Sequence, residues 1–471
     1  MAASIEASTG QGGSGPATDE YVAPTVLDVP VMTEEEVAAM SCSAAEEGWE
    51  ERVRELMDEF GVVVLTDVLN GTELEQAEAA FGRDLKRCID TEALSSLPGD
   101  FQTWAKEFVA LPDGELPRAM PWRSVPGKPG QGMASLQSMA HGEFAWSLRQ
   151  KHIVKAAFAA LHAVDSGEMA SSTDVPFFLP PSAPLPSEGV TQWLHMDYNS
   201  HIPGTGDRPC FQGVLYVWSA EAGDASTTVV MPRSHADGTF EELMRDDAFR
   251  TEPHHSCKLY NASDPARRRA LVTRALERSR RVPAPAGSLV LWDSRVAHQG
   301  WRGSARLAQT VMWEARDHRG DTAWCRKAAA AAIGMATTHF ACIGRWHPAC
   351  RPRKPRAPQF EAGNTDSIIL PMQDPTPWSL DVAPVAEEKW PAFVKAANRA
   401  ERLADRVDKL AKTSDAERKG QVSKALQVDC ERFAALWQDA TGEAVDPTTL
   451  TPRWVGDAFA QFLKPQVKES L

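Results

Sequence analysis

No run of apolar residues in this chain of 471 approaches the eighteen or more that a membrane-crossing helix requires, so no such helix is expected. A basic excess is missing too. Asp and Glu number 64 against 50 Lys and Arg, and the net charge of -14 argues against general nucleic-acid binding. The N-terminus lacks the basic-then-apolar pattern of a secretory signal. Residues 1–24 are small, polar and rich in Gly and Ser, the composition of a disordered tail. Without a secretory signal the eight scattered cysteines read as reduced thiols, and the expected location is the cytoplasm. The last residues, Lys468-Glu469-Ser470-Leu471, depart from Ser-Lys-Leu, so no peroxisomal address is read. There is no internal repeat. Ser234-His235 has no nucleophile elbow to support a hydrolase, and no local Cys–His signature is present.

What the chain does have is a β-rich centre, and hydrophobic residues at 43% are ample for its core. Strand-like runs occur at Gly213–Trp218, Thr227–Met231, Gly287–Trp292 and Arg306–Trp313, separated by Gly, Pro and Asp turns. That pattern predicts an antiparallel barrel or jelly roll. Upstream of these runs lies Gln192-Trp193-Leu194-His195-Met196-Asp197, and far downstream lies Arg295-Val296-Ala297-His298. In a strand, side chains i and i+2 share a face, so His195 and Asp197 project together. With His298 they would make two imidazoles and one carboxylate, a donor set that binds a divalent metal on one side and leaves the other positions open.

The order His-x-Asp, a strand ending in Trp, Val229-Val230-Met231-Pro232-Arg233-Ser234-His235, Gly287 to Trp301, then Arg306 resembles the phytanoyl-CoA dioxygenase family. Its members are Fe(II)- and 2-oxoglutarate-dependent oxygenases on a double-stranded β-helix. The likeness covers roughly residues 190–316, and Glu59-Phe60-Gly61-Val62-Val63-Val64-Leu65 ahead of a helix matches the family upstream. It implies a mainly β, cupin-like jelly roll with flanking helices and a helical C-terminal appendage. It implies His195, Asp197 and His298 as iron ligands, Arg306 as the cation for the distal carboxylate of 2-oxoglutarate, and Trp218 and Tyr216 as lining of that pocket. It further implies O2 as a second cosubstrate, ascorbate as a supporting reductant, and oxidation of a small organic substrate, chiefly hydroxylation, with release of succinate and CO2. Related halogenases carry a small residue in place of the carboxylate, so Asp197 implies oxidation. Two departures are Met231-Pro232-Arg233 where the family has Pro-Gly, and Gly300 where it often has a small hydroxyl residue.

The residues support this without the family. A dicarboxylate cosubstrate needs a fixed cation, and arginine offers a planar fork with a permanent charge. Arg306 opens a strand eight residues after His298; Arg302 competes with it. Two other classes remain open. One is a β-helix protein that binds metal without turnover, and the other is a cupin-type metalloenzyme that does not use 2-oxoglutarate.

The oxygenase domain is expected to span 25–325. Its N-terminal part should hold a helical stretch from Thr33 to Phe60 begun at Thr33-Glu34-Glu35-Glu36, a strand at Gly61–Leu65, a helix at Thr72–Cys88, loops over the site mouth at 97–132 and a helix at Phe144–Ala163. A helical insertion spans about 236–281. Its arginines at 267, 268, 269, 274, 278, 280 and 281 form either a solvated face or a lid for an anionic substrate. A helix and a Pro-rich basic linker, 326–364, lead to a helical region, 365–471, with helices expected at Lys389–Leu426, Val428–Trp437 and Arg453–Leu463. His339, Cys342, His347 and Cys350 could bind zinc but match no common finger, so packing is the better reading. Trp193, Trp292, Trp301 and Trp313 read as core or pocket wall, and His201, His254 and His255 as loop residues.

Overall fold

The computed structural model describes residues 26–88, 99–112, 114–116, 140, 142–172, 174–181, 190–191, 193–201, 210–250, 256–318, 320–332 and 387–462. The zinc-type cluster at 339–350, His254 and His255 lie outside the described residues, as do 97–98, 113 and 117–132 of the expected site-mouth loops. Among the described residues no helix is long and apolar enough to cross a membrane.

A short strand β1 (Val26–Leu27) precedes helix α1 (Glu34–Ala39). Thr33 starts that helix with a reciprocal pair of bonds: its hydroxyl accepts from the Glu36 N–H, and its own N–H donates to the Glu36 carboxylate. The stretch to Phe60 is then divided by strand β2 (Ser41–Ser43) before α2 (Trp49–Phe60), a break the helical pattern did not show. Gly61 ends α2 at φ 70°, and its N–H donates to Met57 O at 2.8 Å. A Cβ there would also lie 2.5 Å from His235 Nδ1 and Val296 Cγ2, so only glycine fits. Strand β3 (Val62–Thr66) and helices α3 (Gly71–Cys88) and α4 (Gly99–Ala110) follow. α4 occupies a stretch read above as loop; its Phe108 is buried in the core, and that apolar anchor outweighs the turn-forming composition around it. The helix expected over Phe144–Ala163 is two, α5 (Glu143–Arg149) and α6 (His152–His162).

The β centre comprises β4 (Met169–Ser171), β5 (Pro176–Leu179), β6 (Val190–Thr191), β7 (His195–Met196), β8 (Phe211–Tyr216) and β9 (Thr227–Val230). The insertion holds helices α7 (Thr239–Met244) and α8 (Asp247–Arg250), strand β10 (Cys257–Lys258), helix α9 (Pro265–Arg278) and strand β11 (Arg280–Arg281). Next come β12 (Leu289–Asp293), β13 (His298–Trp301), β14 (Arg306–Val311) and β15 (Trp313–Ala315). They form a six-stranded sheet ordered β2-β3-β12-β8-β14-β5 and a five-stranded sheet ordered β10-β7-β13-β9-β11; β1 pairs with β6 and β15 with β4. Only the β2–β3 pairing is parallel among these ladders. The insertion is therefore not purely helical: its two short strands pair at the edges of the five-stranded sheet, β10 on β7 and β11 on β9.

Alternation assigns the faces of the six-stranded sheet. Val63, Leu65, Leu215, Leu289 and Leu291 pack with residues of α2, α3, α5 and α6, while Val62, Val64, Val214, Tyr216, Val290 and Trp292 share a second cluster with Val230 of the five-stranded sheet. The two sheets meet across that second cluster. Both faces are covered, which is why the strands read as continuous apolar runs. Each such buried side chain contributes about 1.5–3 kcal/mol.

Helix α10 (Asp321–Ala332) leaves the sheets and packs with α11 (Trp390–Lys412), α12 (Ala416–Thr441) and α13 (Pro452–Phe462) around Phe393, Phe433, Trp437 and Phe459. Ala396, Ala397, Ala400 and Ala404 let the helices approach closely. α12 is continuous across 426–428, where two helices were expected. The break falls at Thr413–Asp415 instead, because Asp415 caps α12 by accepting from the Arg418 N–H.

Arg326 of α10 faces Glu401, Asp405 and Asp408 of α11, at 3.8 Å from Glu401 and 2.7 Å from Asp408. Burial pushes the Glu401 carboxyl up to about 8; Asp405 adds to this and Arg326 opposes it. The folded chain thus holds a proton that an unfolded glutamate releases near 4.5. Stability of the helical unit should fall as pH rises from about 4.5 to about 8. Glu401→Gln should flatten that slope in denaturant unfolding measured from pH 5 to 9; an unchanged slope would show that Glu401 is ionised in the fold.

Candidate metal centre

The site begins with strand pairing. β7 and β13 run antiparallel with His195 directly opposite His298, and their rings lie 4.4 Å apart. Asp197 follows the end of β7, where its N–H donates to Ser294 O at 2.8 Å and turns the carboxylate back onto both imidazoles. Its Oδ1 is 3.2 Å from His195 Nε2 and its Oδ2 is 3.5 Å from His298 Nε2. All three side chains are buried, and one ligand atom from each falls within 4.8 Å of the others. Among the described residues this is the only such group.

The tautomers follow from the backbone. His195 Nδ1 lies 3.1 Å from Trp193 O, and His298 Nδ1 lies 2.9 Å from Val296 O. A carbonyl only accepts, so both Nδ1 atoms donate to the backbone and each Nε2 is the ring atom turned toward the carboxylate. Burial, reinforced by His195, holds the His298 imidazole below its ordinary value, which keeps it neutral near pH 7. Two Nε2 atoms and a carboxylate thus converge in a buried space, and three such acceptors meeting there would be costly without a cation. Ligands about 2.1 Å from one metal and at right angles to each other stand about 3 Å apart, close to the 3.2 Å between Asp197 Oδ1 and His195 Nε2. Two imidazoles and one carboxylate suit Fe(II). The residues present therefore fit the metal that the sequence implied.

Other side chains support the ligands. Gln212 Nε2 donates to Asp197 Oδ2 at 3.1 Å and to Ser294 Oγ at 3.2 Å. Ser234 Oγ accepts from the Ala297 N–H at 2.9 Å, fixing the residue before His298. His235 places Nε2 3.2 Å from Asp58 O, so Ser234 and His235 both serve the backbone. Trp193 stacks on His195 at 4.6 Å and is 40% exposed, and Trp292 lies 5.1 Å from His298. Gln212 could have been found in the sequence as an amide in register with Val214 and Tyr216 on one strand face.

Arg306 stands at the start of β14. Its Nη2 donates to Tyr216 Oη at 3.1 Å, and its guanidinium lies 4.4 Å from the centre of the Phe177 ring. Tyr216 Oη is in turn 3.0 Å from Thr228 Oγ1. Thr228 pairs with Gly300, two residues along β13 from His298, which places the arginine in the inter-sheet space on the metal-ligand side of β13. Its Nε is buried without a hydrogen bond, and no carboxylate of the described residues lies within 4.0 Å of it. Arg302 lies in the turn between β13 and β14.

Trp218 is engaged elsewhere. Val217 and Trp218 both donate their N–H groups to Leu307 O, and both side chains pack against the helix-side core. The Trp218 indole donates to Glu78 at 3.1 Å and its ring lies 5.9 Å from Phe178. Strand alternation ends at Tyr216, so parity no longer directs Trp218 to the inter-sheet space. The insertion arginines are also engaged: Arg267 with Asp246, Arg274 with Glu242, Arg278 with Asp237 and Arg280 with Glu36. These four arginines are thus tied to carboxylates of the chain itself.

No family model and no curated protein matches the chain. Among solved structures it is similar to the epimerase SnoN in complex with Fe3+, alpha ketoglutarate and nogalamycin RO (12% identity, 57% of this chain and 84% of that one, TM-score 0.32). It is similar to the non-heme alpha ketoglutarate dependent carbocyclase SnoK from nogalamycin biosynthesis (15%, 56% and 83%, 0.30). It is also similar to EvdO2 from Micromonospora carbonacea var. aurantiaca complexed with 2-oxoglutarate (14%, 56% and 89%, 0.28). At this level of similarity the candidate metal centre rests on the chemistry of its own residues.

Proposed function

We propose that this chain is an Fe(II)- and 2-oxoglutarate-dependent oxygenase related to the phytanoyl-CoA dioxygenase family, on a double-stranded β-helix, acting on a small organic substrate. The observation that carries the reading is the convergence of His195, Asp197 and His298 as three buried acceptors, with Arg306 held on Tyr216 in the same inter-sheet space. Iron with 2-oxoglutarate and O2 would supply the oxidising power, with 2-oxoglutarate released as succinate and CO2.

The two Nε2 atoms and Asp197 would hold the metal, and the Nδ1 bonds to Trp193 O and Val296 O keep the rings from turning. Arg306 supplies the charge for the far carboxylate of the cosubstrate, and Tyr216 with Phe177 fixes its plane. Trp193 shields His195 and offers its open face at the rim of the site. Trp218 is left out of this group.

The test is an anaerobic titration of the Fe(II)-loaded chain with 2-oxoglutarate. A saturable visible charge-transfer band is expected. Iron binding with no band would assign a cupin-type enzyme or a metal-binding protein instead.

A further inference from the structure

Asp197 is gripped from the opposite sheet. Gln212 stands on the inner face of β8 in register with Val214 and Tyr216, and it is only 2% exposed. A carboxylate only accepts hydrogen bonds, so the amide must present its NH2 to Asp197 Oδ2, and the same nitrogen reaches Ser294 Oγ. Ser294 is anchored in turn, because its N–H donates to Cys210 O at 2.8 Å and its carbonyl accepts the Asp197 N–H. Gln212, Ser294 and Asp197 are thus one unit joining β8, the loop after β12 and the ligand segment after β7. Within it the two carboxylate oxygens are in different positions: Oδ2 receives the amide and stands 3.5 Å from His298 Nε2, while Oδ1 stands 3.2 Å from His195 Nε2 and takes no bond from Gln212.

We infer that Gln212 is a positioning residue that keeps Asp197 a one-oxygen ligand by engaging Oδ2 and leaving Oδ1 for the metal. This rests on the metal-centre reading above. Its consequence is chemical. A carboxylate able to bind through both oxygens would take one more coordination position, at the expense of those needed for cosubstrate and O2. Burying the amide is offset by its two donated bonds, and a core without this role would place an apolar residue there. A purely structural Gln212 would tie the two sheets together and leave metal binding untouched.

The experiment is a titration of the full chain with Co(II), read by visible absorption, beside thermal unfolding of the metal-free protein. Gln212→Met keeps length and volume but removes the donor. The wild type should bind one equivalent. Gln212→Met should bind about 10- to 100-fold more weakly, the range for loss of an outer partner, and its saturated Co(II) spectrum should shift. Ser294→Ala, which removes only the far anchor of the amide, should weaken binding less and in the same direction. Wild-type affinity and an unchanged spectrum in Gln212→Met, with or without a lower unfolding temperature, overturn the inference and leave the metal centre standing. A wild type that does not bind Co(II) overturns the metal centre and the inference with it. If Gln212→Met does not fold, Ser294→Ala decides, and unchanged affinity there overturns the inference.

Discussion

His298→Ala is expected to abolish stoichiometric Fe(II) binding while leaving the metal-free fold intact. Structural zinc sites yield about 10–16 kcal/mol from four ligands, so one ligand carries about 2.5–4 kcal/mol, or roughly two to three orders of magnitude in Kd. The loss should be at the upper end here, because His298 is one of three ligands and Gln212 and Ser234 hold the others and their neighbours in place for it. Stability without metal should change little. The substitution leaves a cavity, but it also relieves the meeting of three acceptors around Asp197. The readout is thermal unfolding under anaerobic conditions with and without Fe(II). The wild type at one hundred times its Kd should gain about 2.7 kcal/mol, and His298→Ala should gain nothing. His195→Ala and Asp197→Ala should behave alike. His235→Ala serves as the control: it removes a buried histidine bonded to Asp58 O and should keep the metal-dependent gain. A metal-dependent gain retained in His298→Ala would sink the triad.

Arg306→Ala should leave metal affinity unchanged and raise the Kd for 2-oxoglutarate about 10²- to 10³-fold in the charge-transfer titration. The magnitude follows from two charge-assisted hydrogen bonds to one carboxylate, about 3–4 kcal/mol together. The arginine is suited to that task. Its plane is set by Tyr216 and Phe177, and no carboxylate among the described residues competes for it. Arg306→Lys should recover only part of the affinity, since an ammonium cannot reproduce the fork. Tyr216→Phe, which removes the hydroxyl that receives Arg306 Nη2, should cost several-fold, in line with about 1 kcal/mol for one hydrogen bond. If Arg302→Ala weakens 2-oxoglutarate binding and Arg306→Ala does not, the cation comes from the turn before β14.

The meeting of His195 with Asp197 was legible because it depends on a local rule. His195 and Asp197 are two residues apart, and an extended backbone turns both to one side. The place of Arg306 was legible for a similar reason, since it opens the next strand after His298; its role is a proposal. Trp218 was not. Its position presumes that alternation continues past Tyr216, whereas two consecutive N–H groups share Leu307 O there and both side chains turn to the helices. The break between α11 and α12 was misplaced because apolar periodicity does not show the Asp415 cap.

By itself the sequence determined the β-rich centre, the donor chemistry of His195, Asp197 and His298, and the choice of an arginine near them. Those depend on residue type and on spacing of a few positions. Only the tertiary structure decided that His195 and His298 stand opposite each other, that the insertion contributes edge strands β10 and β11, and that Gln212 and Ser294 grip Asp197. Gln212 lies fifteen residues from Asp197 and eighty-two from Ser294 in the chain. Contacts over such separations are set by how the two sheets pair and pack, and that is a property of the whole fold.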